Sequence, residues 1–390
     1  MITTNLSPLG IQWSLSIDNA PVASHTIQKI SMSFTENQHD MAIVEMVGVP
    51  SEFVLSYVDK PIVLNLSVLG NRECTMYGYV SHVEAVSHTH EGLVNGSAFQ
   101  LLKVICFGSS YILRSKQTKV WNDVTLKDIV SAIANKNKIG YSIPINTYRF
   151  KRLVQTESSS WQFIVNTAKQ LGYSTTLSNN HLHIWDKRTA SARQPSYAIL
   201  EGTKITRKKY NPRPGVIVTF NPLIGNNTPV GNMNDISISY MDELGNISKV
   251  SNTDIDLTAG FGTTEQTRFS DELAVSAISF ENAKNLLSAK KNYNHAYNCE
   301  ATVLGDPSIK VGGIVQVLGY DDNFEGYWYV QSVSHELFSE TLLTHLKLTK
   351  DGNNNDMPKF PSVQKYSDIP SPVLIDNKWS MKTEYANVYN

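Results

Sequence analysis

Over the first 115 residues, apolar and polar positions take turns. Ile30, Met32 and Phe34 share one side of a chain read with period two, and so do Ile62, Leu64, Leu66 and Val68. Such alternation predicts half-buried strands, because successive side chains of a strand point to opposite faces. Turn-forming residues separate the runs at Gly48-Val49-Pro50, Asp59-Lys60-Pro61 and Gly70-Asn71. Short strands at this spacing suggest a small barrel or sandwich over residues 1–115.

From 116 to 195 the period changes. Leu126, Ile129, Val130, Ile133 and Ala134 follow helical spacing, behind Thr125 as N-cap with Asp128 three residues on. A second helix is predicted from the serine run Ser158-Ser159-Ser160. Its stripe is Trp161, Ile164, Val165, Ala168 and Leu171, and Gly172 is its stop. A strand pair follows, Tyr173–Leu177 and His181–Trp185, joined at Asn179-Asn180. The segment reads as a small α+β domain.

Residues 196–298 return to strands joined by polar loops, with a short helix expected from about Ser279 to Lys291. Residues 299–352 hold the core of a last β unit, completed by strands from 196–298. The tail, 353–390, carries prolines and shows no period, so it is expected to run extended or to be ordered only by a partner.

The two β regions echo one another. Pro61-Ile62-Val63-Leu64 followed by Tyr79-Val80-Ser81-His82-Val83 parallels Gly313-Ile314-Val315-Gln316 followed by Tyr329-Val330-Gln331-Ser332-Val333. Strand, turn and return strand at matching separation suggest one small barrel used twice. Three chains carrying two such modules would place six around an axis, and repeated heterologous contacts usually close into rings.

Composition narrows the field. The chain has 390 residues, 41% hydrophobic and 18% charged, with net charge −1. It is long enough for several cores and has no global pull toward nucleic acid or anionic membranes. Cys74, Cys106 and Cys299 are far apart, which fits buried reduced thiols better than disulfides or a zinc site. No secretion signal or membrane span is expected, since no stretch reaches about 18 apolar residues.

Several segments resemble a known family. Ala301 through Val317, Gly326-Tyr327-Trp328-Tyr329-Val330, Val333-Ser334-His335 and Thr344-His345-Leu346-Lys347-Leu348 resemble the last barrel of phage late-control D and baseplate hub proteins. Leu126–Val130, Gln155–Ser158, Trp161–Ile164 and Gly172-Tyr173 are similar to that family's middle domain. Lys60–Val63 and Tyr77–Val80 are similar to its first barrel. The ordered pieces span roughly residues 58–350. The chain departs from the type VI secretion spike proteins of the same superfamily, whose OB-like domain and β-helical needle find no counterpart in these 390 residues. The resemblance implies an α+β, mostly β fold: two similar small β-barrels, an inserted α+β domain and an extended C-terminal tail. It also implies a homotrimer in the virion tail baseplate, made in the host cytoplasm. Its partners would be the tail tube or distal tail protein, a spike or tail-tip protein and the tape-measure protein, with DNA only in transit.

Candidate chemistry is sparse. His82, His88 and His90 with Glu91 are a polar hairpin end rather than a metal set, and His181 and His183, beside Trp185, read as sheet packing. Glu157 beside Ser158–Ser160 is explained by helix capping. Asp242, Glu243, Asp254 and Asp256 read as exposed alternation rather than a glycosidase pair. His335 reads as a buried or interfacial structural histidine. Lys204–Lys209 with Tyr210 reads as a solvated face or a contact to an acidic neighbour. The residues expected to bind a partner are Pro370, Pro372, Trp379, Tyr385 and Tyr389 of the tail, because aromatics on a free end are unfavourable unless covered. No enzyme activity, cofactor or metal is expected. Two other classes compete with the hub: a β-rich receptor- or carbohydrate-binding tail protein, and a cell-wall hydrolase on a β scaffold.

Overall fold

The computed structural model of the chain describes residues 10–48, 56–68, 72–87, 100–144, 148–186, 197–202, 214–224, 233–241, 246–251, 269–277, 280, 283–284, 297–320, 324–338, 341–350, 371–375 and 378–382. The fold is α+β and mostly strand.

The N-terminal strands are β1 (Ile11–Ile17), β2 (Ala20–Pro21), β3 (Ile27–Thr35), β4 (Met41–Val47), β5 (Pro61–Val68), β6 (Arg72–Ser87) and β7 (Gln100–Gly108). The alternation seen in sequence becomes the inner face of their sheet. Ile62, Leu64, Leu66 and Val68 of β5 and Ala42, Val44 and Met46 of β4 are at most 2% exposed and meet in one core. Burying each of these side chains larger than alanine favours the fold by about 1.5–3 kcal/mol.

Next come β8 (Lys116–Thr125), α1 (Leu126–Asn137), β9 (Gly140–Ser142), β10 (Arg149–Ser159), α2 (Ser160–Gln170), β11 (Tyr173–Ser178) and β12 (His181–Asp186). The expected caps are in place. Thr125 Oγ1 accepts from Asp128 N at 3.2 Å, and Asp128 Oδ2 accepts from Thr125 N at 2.8 Å. Ser159 Oγ accepts from Gln162 N at 3.1 Å, and Gly172, at φ +79°, carries the chain out of α2. Asn179 and Asn180 sit at φ +51° and +58°, the left-handed pair a two-residue hairpin requires. The apolar stripes of both helices share a core of their own with Leu177, Leu182 and Ile184. Thr125→Ala is expected to lower stability by about 1 kcal/mol, read as an earlier urea midpoint at unchanged slope.

The remaining strands are β13 (Tyr197–Glu201), β14 (Ile217–Ile224), β15 (Met233–Met241), β16 (Ile247–Ser251), β17 (Phe269–Ala277), β18 (Tyr297–Leu304), β19 (Ile314–Leu318), β20 (Gly326–Phe338), β21 (Thr341–Lys350), β22 (Ser371–Ile375) and β23 (Lys378–Lys382). β15, β16 and β17 form a separate sheet. The helix expected at Ser279–Lys291 lies mostly outside the described residues; within it Phe280, Ala283 and Lys284 are helical. The tail, expected to run extended, contains an antiparallel hairpin of β22 and β23.

Strand order repeats. In the N-terminal set neighbours run β1-β5-β6-β7-β4-β3, and in the later set β13-β19-β20-β21-β18-β14. Numbered by place in the chain, the two orders are the same. One difference is direction: β1 is antiparallel to β5, β13 parallel to β19. Irregularities repeat as well. The β6–β7 register skips a residue between Val80 and His82, and β20–β21 skips one between Val330 and Ser332. β3–β4 skips between Ile27 and Lys29, and β14–β18 between Ile217 and Thr219. The sequence echo is corrected by one residue on its first strand: Pro61 stands opposite Tyr79, but Ile314, not Gly313, stands opposite Tyr329. In the later set a parallel bridge between Glu201 and Val216 ties the end of β13 to the start of β14, bringing the outermost strands together.

Candidate functional site

The two sets meet edge to edge. β20 is 13 residues long. Its first part pairs with β19, while Ser332–Phe338 pairs antiparallel with Lys29–Thr35 of β3. One face of this seam is a polar ladder: Ser33 Oγ to Ser334 Oγ at 2.9 Å, Thr35 Oγ1 to Ser332 Oγ at 2.7 Å, and Lys29 Nζ to Glu336 Oε1 at 2.9 Å. The other face is apolar except for His335, with Ile30, Met32, Val333, His335 and Leu337 buried.

Below the seam lie buried polar groups that bind the parts to one another. Arg72 at the start of β6 makes an ion pair with Asp306, whose side chain is 0% exposed. Asp306 Oδ1 also accepts from Ser308 N and Oγ at 3.1 and 2.6 Å, and Asp306 N donates to Thr344 Oγ1 at 3.1 Å. A second cluster joins three regions at one carboxylate. Glu36, just past β3, accepts from Ser174 Oγ of β11 and from the Tyr329 hydroxyl of β20, both at 2.9 Å. Trp185 Nε1 of β12 donates to that hydroxyl at 3.2 Å. Burial, with the Glu36 carboxylate beside it, holds the Tyr329 phenol well above its usual range. Deeply buried charge of this kind favours one relative placement of the parts, since a shift would strand it.

Beside this junction lies a cavity of about 460 Å³, lined among others by Asp40, Cys74, His181, His183 and Lys310. Burial pushes the Asp40 carboxyl up to about 8 and the Cys74 thiol up to about 12. The two histidines share a face of β12 as expected, their rings 4.4 Å apart, and His183 Nδ1 lies 3.0 Å from Ser142 Oγ.

The structure separates the other sequence candidates. His335 is 1% exposed, its Nδ1 3.0 Å from Thr344 Oγ1, and burial lowers it to about 3. His82 is exposed and lies 3.8 Å from Glu84. Glu157 sits within β10 at φ +45°, where the register with β8 shifts between Gln155 and Ser158. Of the tail residues, Pro372 stands opposite Met381 and Trp379 opposite Leu374 in the hairpin register. Pro370, Tyr385 and Tyr389, like His88, His90, Glu91, Lys204–Lys209, Tyr210, Asp242, Glu243, Asp254 and Asp256, lie outside the described residues. Among the described residues no helix is long and apolar enough to cross a membrane. Sequence reading missed Glu36, Arg72 and Asp306. Asp306 lies in the Ala301–Val317 stretch that carries the resemblance, but nothing in its neighbours there points to Arg72, 234 positions away.

Residues 86–207, well under half of the chain, match the family model described as the Alg8 N-terminal domain. No curated protein matches by sequence. Solved structures match over most of the chain. A 43 kDa tail protein of prophage MuSo2 from Shewanella oneidensis is 11% identical, with TM-score 0.61, over 87% of this chain and 98% of that one. A tail protein from Neisseria meningitidis gives 11% and 0.61 over 88% and 97%. A type VI secretion component from Escherichia coli, described as structurally similar to the T4 phage tail proteins gp27 and gp5, gives 10% and 0.56 over 93% and 81%. The chain shares the fold of these tail and secretion proteins.

Proposed function

We propose that this chain is a structural tail hub of the late-control D type. Three copies form a ring in the virion baseplate, and each six-strand set is a small barrel facing the ring axis. The ring matches a six-fold tail tube or distal-tail protein on one side and a three-fold spike or tip on the other. It holds the end of the tape-measure protein and then lets DNA pass. The reading assigns the chain no catalytic step and no cofactor.

The observation that carries it is the repeat of strand order and bulge positions within one polypeptide. Two equivalent modules per chain let a three-fold object offer six similar surfaces, and heterologous contacts between them close a ring. The fold shared with phage tail proteins supports the same reading.

Native mass spectrometry and electron microscopy test it. The protein, alone or mixed with its tube protein, is expected to give a species of about three chains with a central channel. A 43.5 kDa monomer under both conditions overturns the proposal.

A further inference from the structure

The seam between β20 and β3 has a counterpart that the described residues of a single chain leave open. Strand order makes β6 the counterpart of β20, and β14 that of β3. Shared bulges fix the correspondence residue by residue. Tyr79-Val80, then a skip to His82, matches Tyr329-Val330, then a skip to Ser332. Ile27, then a skip to Lys29, matches Ile217, then a skip to Thr219. Ser334 therefore corresponds to Glu84, Val333 to Val83, Ser33 to Leu223 and Met32 to Pro222. Within the chain Ser334 faces Ser33 and Val333 faces Phe34. Their counterparts do not meet. Among the described residues β6 beyond Val80 pairs only with β7, and β14 beyond its bridge to Glu201 pairs only with β18.

Each chain thus completes one seam and presents the two unlike halves of a second. An open edge that carries exposed apolar side chains invites pairing. Leu223 is 42% exposed and Val218 is 54% exposed on β14. We infer that the β6 edge of one copy takes the β14 edge of the next. The two strands run antiparallel, with Glu84 opposite Leu223, Val83 opposite Ile224 and Val86 opposite Asn221. This rests on the ring reading above and supplies its contact. Because the halves differ, the contact is head-to-tail, which a ring requires and a two-fold dimer does not.

Pro222 shapes the seam. Glu36 N donates to Gln331 O at 3.2 Å, and the Phe34 carbonyl accepts from Ser332 Oγ at 3.2 Å, so alternate residues of β3 turn their backbone groups toward β20. Met32 belongs to that series, and its counterpart Pro222 has no N–H to give. The seam between copies therefore has one ladder bond fewer than the seam within a chain. A proline there also protects the edge of a free copy from chance strand addition.

Cysteine cross-linking tests the register. Ser33 and Ser334 are directly opposite, with their Oγ atoms 2.9 Å apart. Cysteines at the corresponding Glu84 and Leu223 would stand within disulfide reach. Glu84→Cys and Leu223→Cys are made as separate full-length variants, and folding of each is checked by thermal melting. Oxidised together they are expected to give linked pairs, while each oxidised alone gives none. Of the native thiols Cys106 and Cys299 are buried and Cys74 is half-buried, and the unsubstituted chain oxidised alone sets the background. The double variant is expected to give a ladder ending at three chains. Cross-links from either single variant alone overturn the inference. Trimers that persist by native mass without an 84–223 link overturn this register and leave the ring standing. Monomers under every condition, tube protein included, overturn both.

Discussion

Replacing Asp306 with alanine is expected to lower the unfolding free energy by about 3–5 kcal/mol, the usual effect of removing one partner of a buried ion pair. The Asp306 side chain is 0% exposed and that of Arg72 is 7% exposed. The alanine variant leaves the guanidinium buried without this carboxylate, and it removes the acceptor of Ser308 N and Oγ. Arg72 belongs to the first six-strand set and Asp306 to the second, so the loss falls on the contact between them. The control is the double variant Arg72→Met with Asp306→Ala, which removes both charges and is expected to regain most of the loss. Urea unfolding monitored by tryptophan fluorescence measures both. Equal instability of the single and double variants would show that the charge pair is not what the alanine variant loses.

Local order was legible in the sequence because its code is local. Thr125 and Asp128 are three residues apart, and Asn179 and Asn180 are neighbours. Ile62, Leu64, Leu66 and Val68 reveal a buried face by period alone. The seam was not legible. Ser332, Ser334 and Glu336 put polar groups at every second position, a pattern that by itself fits a strand facing water. In the fold they meet Thr35, Ser33 and Ser31 of a strand about 300 residues earlier in the chain. Nothing in a period reports which strand lies alongside. The same holds for Arg72 and Asp306, 234 positions apart.

The repeat showed only faintly in sequence for a physical reason. A sheet fixes backbone register and the inward or outward sense of each position, and leaves the identity of the side chain open. Gly78 and Trp328 hold equivalent places, as do Ile105 and Lys347. A Cβ on Gly78 would fall 2.1 Å from the Phe107 carbonyl oxygen, whereas Trp328 is fully buried and donates to Phe324 O at 2.9 Å. Bulges, which interrupt the ladder, are kept where residue types are not.

The second large effect is a pH dependence traced to His335. The ring is 1% exposed, packed edge-on to Phe34 at 6.3 Å, with Nδ1 beside Thr344 Oγ1. Its Nε2 faces no hydrogen-bond partner among the described residues. Protonation would place a second N–H and a charge there with no acceptor, near His345. Burial first, and His345 second, lower its pKa to about 3. The folded value therefore lies below the unfolded one, near 6.5. The stabilising contribution is full above pH 6.5 and is lost as pH falls toward 3, because the unfolded chain binds the proton first. At about 1.4 kcal/mol per unit, the chain is expected to lose roughly 3 kcal/mol between pH 7 and pH 4 through this residue. His335→Gln cannot take up the proton, so its stability is expected to fall by that much less over the same range, whatever it loses at pH 7. The difference between the two urea-derived slopes isolates the group, since every other titrating side chain, Asp40 included, is common to both proteins. Parallel slopes would mean that the ring finds water or a partner on folding. His335 would then be solvated in the folded chain rather than closed into the floor of the seam.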